Sequence, residues 1–333
     1  EIFTAALDCD DLVARGGLLD HACGEDEALR DQVDALLAET SQVGDFLERP
    51  ALRDETRELT RGNDLPTCPG ESPGDEIGPY RLIELVGEGG GGSVYRAEQR
   101  EPVQRTVALK ILKLGMDTRS VIRRFETERQ ALALMDHPNI ARVLDAGASP
   151  DGRPYFVMDF VKGEPVTDYC DANSLSVRDR VALFIKVCRA VEHAHQKGII
   201  HRDLKPSNIL ITRQGGVLRP KVMDFGVAKL SRNKNLTATG TTVGTLHYMS
   251  PEQIVGAKNI DGRADIYSLG IILYKLCTGQ VPFNASTEYS LMMAQVEAKP
   301  TPPSTLNREI HPELEKIILR SLNKRAQDRY QTI

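Results

Sequence analysis

Residues 199–211, IIHRDLKPSNILI, place His201, Arg202, Asp203, Lys205 and Asn208 within eight positions between two apolar runs. A carboxylate, two cations, an amide and the rigid Pro206 in so short a span suit a site where charge is neutralised and a proton accepted. The plainer reading is a polar loop between buried segments. Residues 221–229, KVMDFGVAK, follow. Asp224 stands at the end of an apolar stretch, and Gly226 permits a sharp turn behind it. A carboxylate there is a simple turn former or, beside Asn208, a ligand to Mg²⁺, which takes oxygen donors and keeps bound phosphates and waters.

Upstream, residues 85–98, LVGEGGGGSVYRAE, hold five glycines in six positions. Such a run is a flexible spacer or a loop whose backbone N–H groups reach an anion because no Cβ intervenes. The flanks YRLIELV and SVYRAE carry the β-branched and aromatic residues of strands rather than the Ser, Pro and charge of a spacer. Gly87, Gly89, Gly92 and Val94 fit G-x-G-x-x-G-x-V. Lys110 lies one strand further on, within TVALKIL. It is a solvated edge charge or a cation for phosphate oxygens. A buried ammonium needs a counter-charge, and the helix expected over 120–135 offers Glu126 and Glu128.

These residues need elements to position them. Residues 1–50 read as helical, with Leu29, Val33, Leu36 and Leu37 on one stripe. Residues 51–76 are polar, with Pro and Gly, as in a linker. Patterned text resumes from Tyr80, within a domain expected over 77–333. It is strand-rich with one helix to about 157, then helix-rich from about 162 to 333. A small β-rich lobe followed by a larger α-helical lobe is an α+β arrangement, with the cleft between them as the default binding site. Charged residues make up 27% of the 333 and the net charge is −5, so no basic field for nucleic acid stands out. Six cysteines show no C-x-x-C pair and suit a reducing compartment. No apolar run has the roughly eighteen residues of a membrane span. The chain begins at Glu1 and ends at Ile333, which reads as a fragment, with any membrane anchor outside it.

From about Tyr80 to Ile333 the sequence resembles the protein kinases. The glycine loop, VALK, HRDLKPSN, DFG and SPE occur in family order. ERQALALMDHPNIARVLDAG, PYFVMDFVKG and GTLHYMSPEQ are similar to bacterial eukaryotic-like (Hanks-type) serine/threonine kinases. The resemblance implies a bilobal fold and transfer of the ATP γ-phosphate to protein serine or threonine. The loop Val86, Gly87, Glu88, Gly89, Gly90, Gly91, Gly92, Ser93 and Val94 would cover the phosphates. Lys110 would hold the α- and β-phosphates and pair with Glu128. Asp203 would accept the hydroxyl proton, Lys205 would steady the γ-phosphoryl group, and Asn208 and Asp224 would hold Mg²⁺, with Mn²⁺ as an alternative. Met158 matches the gatekeeper and the backbone of Asp159 and Val161 the adenine hinge. Val94, Ala108 and Leu210 would sandwich the base, although ordinary core would place them equally well. Lys205 and Thr245 imply serine/threonine preference. Arg202 implies a phosphorylated activation loop, with Thr237, Thr239, Thr241 and Thr242 available and Thr241 or Thr242 expected, by autophosphorylation in a transient dimer. Glu252 with Arg329, and Asp265, match bracing positions.

Gly91 departs from the family, which commonly carries a bulky residue at the loop tip. A fourth consecutive glycine adds loop entropy, and Gly91→Phe is expected to lower KM for ATP. The first fifty residues resemble a helical segment found ahead of such kinase domains, either a small packed unit or a docking or autoinhibitory element. Expected partners are ATP and protein substrates, with the kinase domain cytoplasmic. The competing class is a pseudokinase, a nucleotide-binding scaffold without turnover. Retention of Lys110, Asp203, Asn208 and Asp224 argues against it.

Overall fold

The computed structural model describes residues 71–89, 92–112, 135–225 and 243–333, all within the unit Pro69–Ile333. Several expected features lie outside the described residues. These are the helical segment 1–50, the helix 120–135 with Glu126 and Glu128, Gly90, Gly91 and Gly226, and Thr237, Thr239, Thr241 and Thr242.

The first lobe is a curled antiparallel sheet. Its strands are β1 (Glu76–Ile77), β2 (Tyr80–Gly89), β3 (Gly92–Gln99), β4 (Arg105–Ile111), β5 (Val143–Ala148) and β6 (Pro154–Asp159), in the order β1-β2-β3-β4-β6-β5. Side chains alternate between its two faces. Tyr95 and Ala97 of β3, Val107 and Leu109 of β4, and Tyr155 and Val157 of β6 form a buried cluster with Tyr80 and Leu82. The intervening residues Ala108, Phe156 and Met158 instead join the core of the second lobe, with Val94 packed against it. Lys110 pairs in register with Val94 on one side and Phe156 on the other, so it shares this inward face. One strand thus serves two environments through its period of two.

Residues 71–76, polar in composition, are tied to this sheet. The Tyr95 hydroxyl donates to the Glu71 carbonyl at 2.6 Å, and the Glu71 carboxylate pairs with Arg153. The Gly74 N–H donates to the Leu82 carbonyl at 2.8 Å.

The second lobe follows β7 (Glu164–Pro165) with α1 (Val166–Ala172) and α2 (Val177–Gln196). Ser176 caps α2 by accepting from the Asp179 N–H at 3.2 Å. Leu183, Phe184, Val187, Ala190, Val191 and Ala194 form its buried stripe. Then β8 (Ile209–Gln214) and β9 (Val217–Val222) complete a three-stranded sheet with β7. The short helices α3 (Val243–Leu246) and α4 (Pro251–Ile254) lead to α5 (Arg263–Thr278). Helix α5 is buried nearly all round, as its apolar text IYSLGIILYKLC requires. It ends where Gly279 takes φ 80° and its N–H returns to the Lys275 carbonyl. Helices α6 (Glu288–Glu297), α7 (Pro303–Leu306) and α8 (Pro312–Ser321) complete the lobe.

Arg329 locks these pieces together. It is fully buried and forms a bidentate pair with Glu252 at 2.7 and 2.8 Å. Its remaining N–H groups donate to the carbonyls of Asn323, Arg263 and Lys324 at 2.7, 2.8 and 2.9 Å. Five donors meet five acceptors, which is the condition for burying a guanidinium. Among the described residues, no helix is long and apolar enough to cross a membrane.

Candidate active site

The loop His201–Asn208 joins α2 to β8 and is held from below by Asp265 of α5. This carboxylate is fully buried. It accepts the backbone N–H of His201 at 2.8 Å and that of Arg202 at 2.8 Å. The His195 Nε2 lies 2.8 Å from Oδ2 of Asp265, the oxygen that also accepts the His201 N–H. Gly262 makes that approach feasible, since a Cβ there would meet the His195 ring at 2.8 Å. Arg202 takes φ 66°, a left-handed conformation that costs an L-residue roughly 1–3 kcal/mol. The two charge-assisted bonds to Asp265 help offset that cost.

His201 is fully buried. Its Nδ1 faces the Asp203 N–H at 3.3 Å and its Nε2 lies 2.8 Å from the Met223 carbonyl. A backbone N–H can only donate, so Nδ1 accepts and Nε2 carries the proton. The ring packs on Phe225 with centroids 4.7 Å apart. One imidazole therefore links the loop carrying Asp203 to the segment carrying Asp224.

Around Asp203 the polar groups converge. The Lys205 Nζ lies 3.1 Å from Asp203 Oδ2 and donates to Thr245 Oγ1 at 3.0 Å. The Asn208 side-chain nitrogen donates to the Asp203 carbonyl at 2.8 Å and to Oδ2 at 3.3 Å. That commits the amide nitrogen and leaves Oδ1 of Asn208 as the atom able to coordinate a cation. Asp224 follows β9 with φ 60°. Its Oδ2 meets Lys110 Nζ at 2.6 Å, across 114 residues. Both side chains are largely sheltered, at 14% and 22% exposure, so the pair is screened less than a surface one. The expectation that Lys110 pairs with Glu128 falls on a residue outside those described. The contact seen here is with Asp224.

The glycine loop is built by the β2–β3 hairpin. Register shifts between Leu82 and Glu84 and between Leu85 and Gly87 bend β2 as it enters the loop. Gly87 pairs with Val94, Glu88 with Ser93 and Gly89 with Gly92. Val86 is exposed. Gly92 takes φ 133°, and a Cβ there would run into the Ile111 carbonyl. On the inward face, Val94 and Lys110 are cross-strand partners and Ala108 pairs with Met158. Leu210 of β8 is half-buried. Asp159 ends β6 with its carboxylate accepting from the Arg142 N–H at 3.1 Å and Nε at 3.2 Å, with Val161 two residues on.

The oxygen donors of Asn208 and Asp224 suit a hard cation such as Mg²⁺. Among the described residues no three His, Cys, Asp or Glu side chains group as a self-sufficient metal site. Two oxygen donors suit a cation such as Mg²⁺, which keeps bound phosphates and waters in its shell. Next to the site, Tyr248 has its phenol pushed up to about 12 by burial and by Asp168, and its N–H donates to the Thr245 carbonyl at 3.1 Å. One residue escaped the sequence reading. Gln253, one place past the Glu252 singled out for its ion pair, donates to the Arg202 carbonyl at 2.8 Å. The S-x-x-Q capping spacing of residues 250–253 signals a helix start but not that contact.

The family model described as protein kinase domain matches residues 80–332. The chain is 40% identical over 255 residues to a probable serine/threonine-protein kinase of Clostridium perfringens, covering 76% of this chain and 36% of that protein. It is 40% identical over 263 residues to serine/threonine-protein kinase Pkn1 of Myxococcus xanthus, covering 78% and 37%. The chain thus spans little over a third of the length of these relatives. The solved Mycobacterium tuberculosis PknI kinase domain superposes with a TM-score of 0.61 at 26% identity, over 79% of this chain and 95% of that one.

Proposed function

The chain belongs to the protein kinase domain family, and we propose that it transfers the γ-phosphate of ATP to serine and threonine hydroxyls of proteins. The observation that carries this reading is Lys205, whose ammonium lies 3.1 Å from Asp203 and 3.0 Å from Thr245. Phosphoryl transfer asks for positioning and charge neutralisation more than for covalent chemistry. That cluster offers a carboxylate to accept the hydroxyl proton and a cation beside it. Thr245 borders the place for the acceptor.

In this reading Asn208 and Asp224 hold Mg²⁺, with Mn²⁺ able to substitute. The metal when bound neutralises phosphate charge. Lys110 takes the α- and β-phosphates, so its ammonium exchanges Asp224 for substrate oxygens. The backbone from Val86 to Val94 lies over the phosphates. Ala108, Met158, Leu210 and the hinge backbone at Asp159 and Val161 hold the base. Residues 77–333 form the catalytic domain, which works in the cytoplasm. Arg202 receives a phosphorylated Thr241 or Thr242, placed there by autophosphorylation between two copies.

The test is transfer of γ-phosphate to a generic protein with Mg²⁺, run beside Lys110→Met and Asp203→Asn. Transfer by the wild type and loss in both variants is expected. Equal activity in Asp203→Asn would remove the proton-acceptor role, and no transfer by the wild type would leave the scaffold reading. Phosphopeptide mapping of the wild type against Asp203→Asn tests the activation loop. Unmodified Thr241 and Thr242 in the active form would refute that part.

A further inference from the structure

Gln253 is buried in α4 at 1% exposure. Its Oε1 accepts from the Ser250 N–H at 3.0 Å and the Ser250 hydroxyl at 3.2 Å. Its Nε2 donates to the Arg202 carbonyl at 2.8 Å. The orientation of the amide is forced, because an N–H must meet the oxygen and a carbonyl must meet the nitrogen.

The carbonyl it holds is unusual. Arg202 is in the left-handed region at φ 66°, and its own N–H is taken by Asp265 at 2.8 Å. Asp265 therefore clamps the peptide entering this strained residue, and Gln253 clamps the peptide leaving it. The second peptide joins Arg202 to Asp203, so its plane sets the direction in which the Asp203 side chain leaves the backbone.

The choice of glutamine carries the argument further. At the third helical position a glutamate closes the same capping box and adds a favourable charge at the helix N-terminus. Only the amide can cap Ser250 and also donate to a carbonyl. Capping alone does not account for Gln253, whereas the bond to Arg202 does.

We propose that Gln253 is a positioning residue for Asp203, fixing the 202–203 peptide and coupling α4 to the catalytic loop. The proposal rests on the kinase reading of the site. Gln253→Glu keeps the size and the cap but replaces the donor with a carboxylate facing a carbonyl. Ser250→Ala removes the hydroxyl's hydrogen bonds within the cap and leaves the Arg202 contact in place. Gln253→Glu is expected to lower kcat about 10- to 100-fold while KM for ATP stays within about twofold. Ser250→Ala is expected to keep kcat near wild type. A crystal structure of Gln253→Glu should show the 202–203 peptide rotated. Undiminished kcat in Gln253→Glu overturns the proposal. So does a loss shared by both variants that tracks a falling melting temperature, which marks a structural role. If the wild type transfers no phosphate, the kinase reading itself fails and takes this assignment with it.

Discussion

Lys110 and Asp224 face each other across the two lobes at 2.6 Å. The strand carrying Lys110 and the segment after β9 carrying Asp224 are thus joined by one sheltered ion pair. Removing the lysine leaves a carboxylate at 22% exposure without this partner. In the proposed reaction it also removes a phosphate ligand. Lys110→Met is expected to lower phosphoryl transfer by about 100- to 1,000-fold, measured in steady state with saturating peptide or protein substrate. A drop of less than tenfold would show that the strand lysine is peripheral to the chemistry.

Gly92 gives a second expectation, from backbone geometry. Its φ of 133° and the Ile111 carbonyl beside it exclude a side chain. Gly92→Ala must shift β3 against β4, and with it Val94 and Lys110. Its KM for ATP is expected to rise about tenfold or more, since small displacements of positioning groups are costly. Nucleotide titration of the variant checks this, and unchanged affinity would show that the hairpin adapts.

Arg329 is a stability determinant. Truncating it to alanine leaves Glu252 and three carbonyls without their donor, and breaking a buried pair costs about 3–5 kcal/mol. Arg329→Lys should recover little of this, because an ammonium cannot present a planar fork to five acceptors. Denaturant unfolding of both variants is the measurement. A lysine variant as stable as wild type would argue that charge alone matters.

Lys324 supplies a pH dependence. Burial, then the neighbouring Arg329, lowers its ammonium from the ordinary 10.5 to about 8. It donates to the Gln295 carbonyl at 2.7 Å and lies 3.9 Å from the Phe283 ring centre. Below pH 8 the group is charged in both folded and unfolded chains. Between about 8 and 10.5 the unfolded chain holds the extra proton, so this residue's contribution to stability rises with pH. Wild type should gain stability relative to Lys324→Met across that window in denaturant titrations at pH 7, 8.5 and 9.5. A constant difference would place the lysine in an ordinary, solvated environment.

The reach of sequence reading differed between parts of the site. Asp203, Lys205 and Asn208 lie within six residues, so their chemistry is written in one short string and their proximity needs little tertiary inference. The two lobes were legible because strand text with partial alternation, as in YRLIELV and SVYRAE, gives way to helical text such as DIYSLGIILYKLCTG. Other contacts are distant in sequence and carry no local signature. Gln253 reaches Arg202 across 51 residues, and Lys110 meets Asp224 across 114. The resemblance pointed to Asp265, but not to the His195 ring that Gly262 admits beside it. Residues 71–76 carry a linker-like composition that does not reveal their contacts. Their Pro and Gly read as a spacer, while the decisive contacts come from Glu71 to Tyr95 and Arg153.

Those contacts bear on how the gene is trimmed. Cutting the coding sequence just before Ile77, where the expected linker ends, would delete the Glu71 counter-ion. Arg153, at 11% exposure, would keep, among the described residues, the pair with Asp151, a carboxylate at 58% exposure. Tyr95 would lose its acceptor one position after Val94. A chain shortened that way would carry a β2–β3 hairpin without two of its native ties.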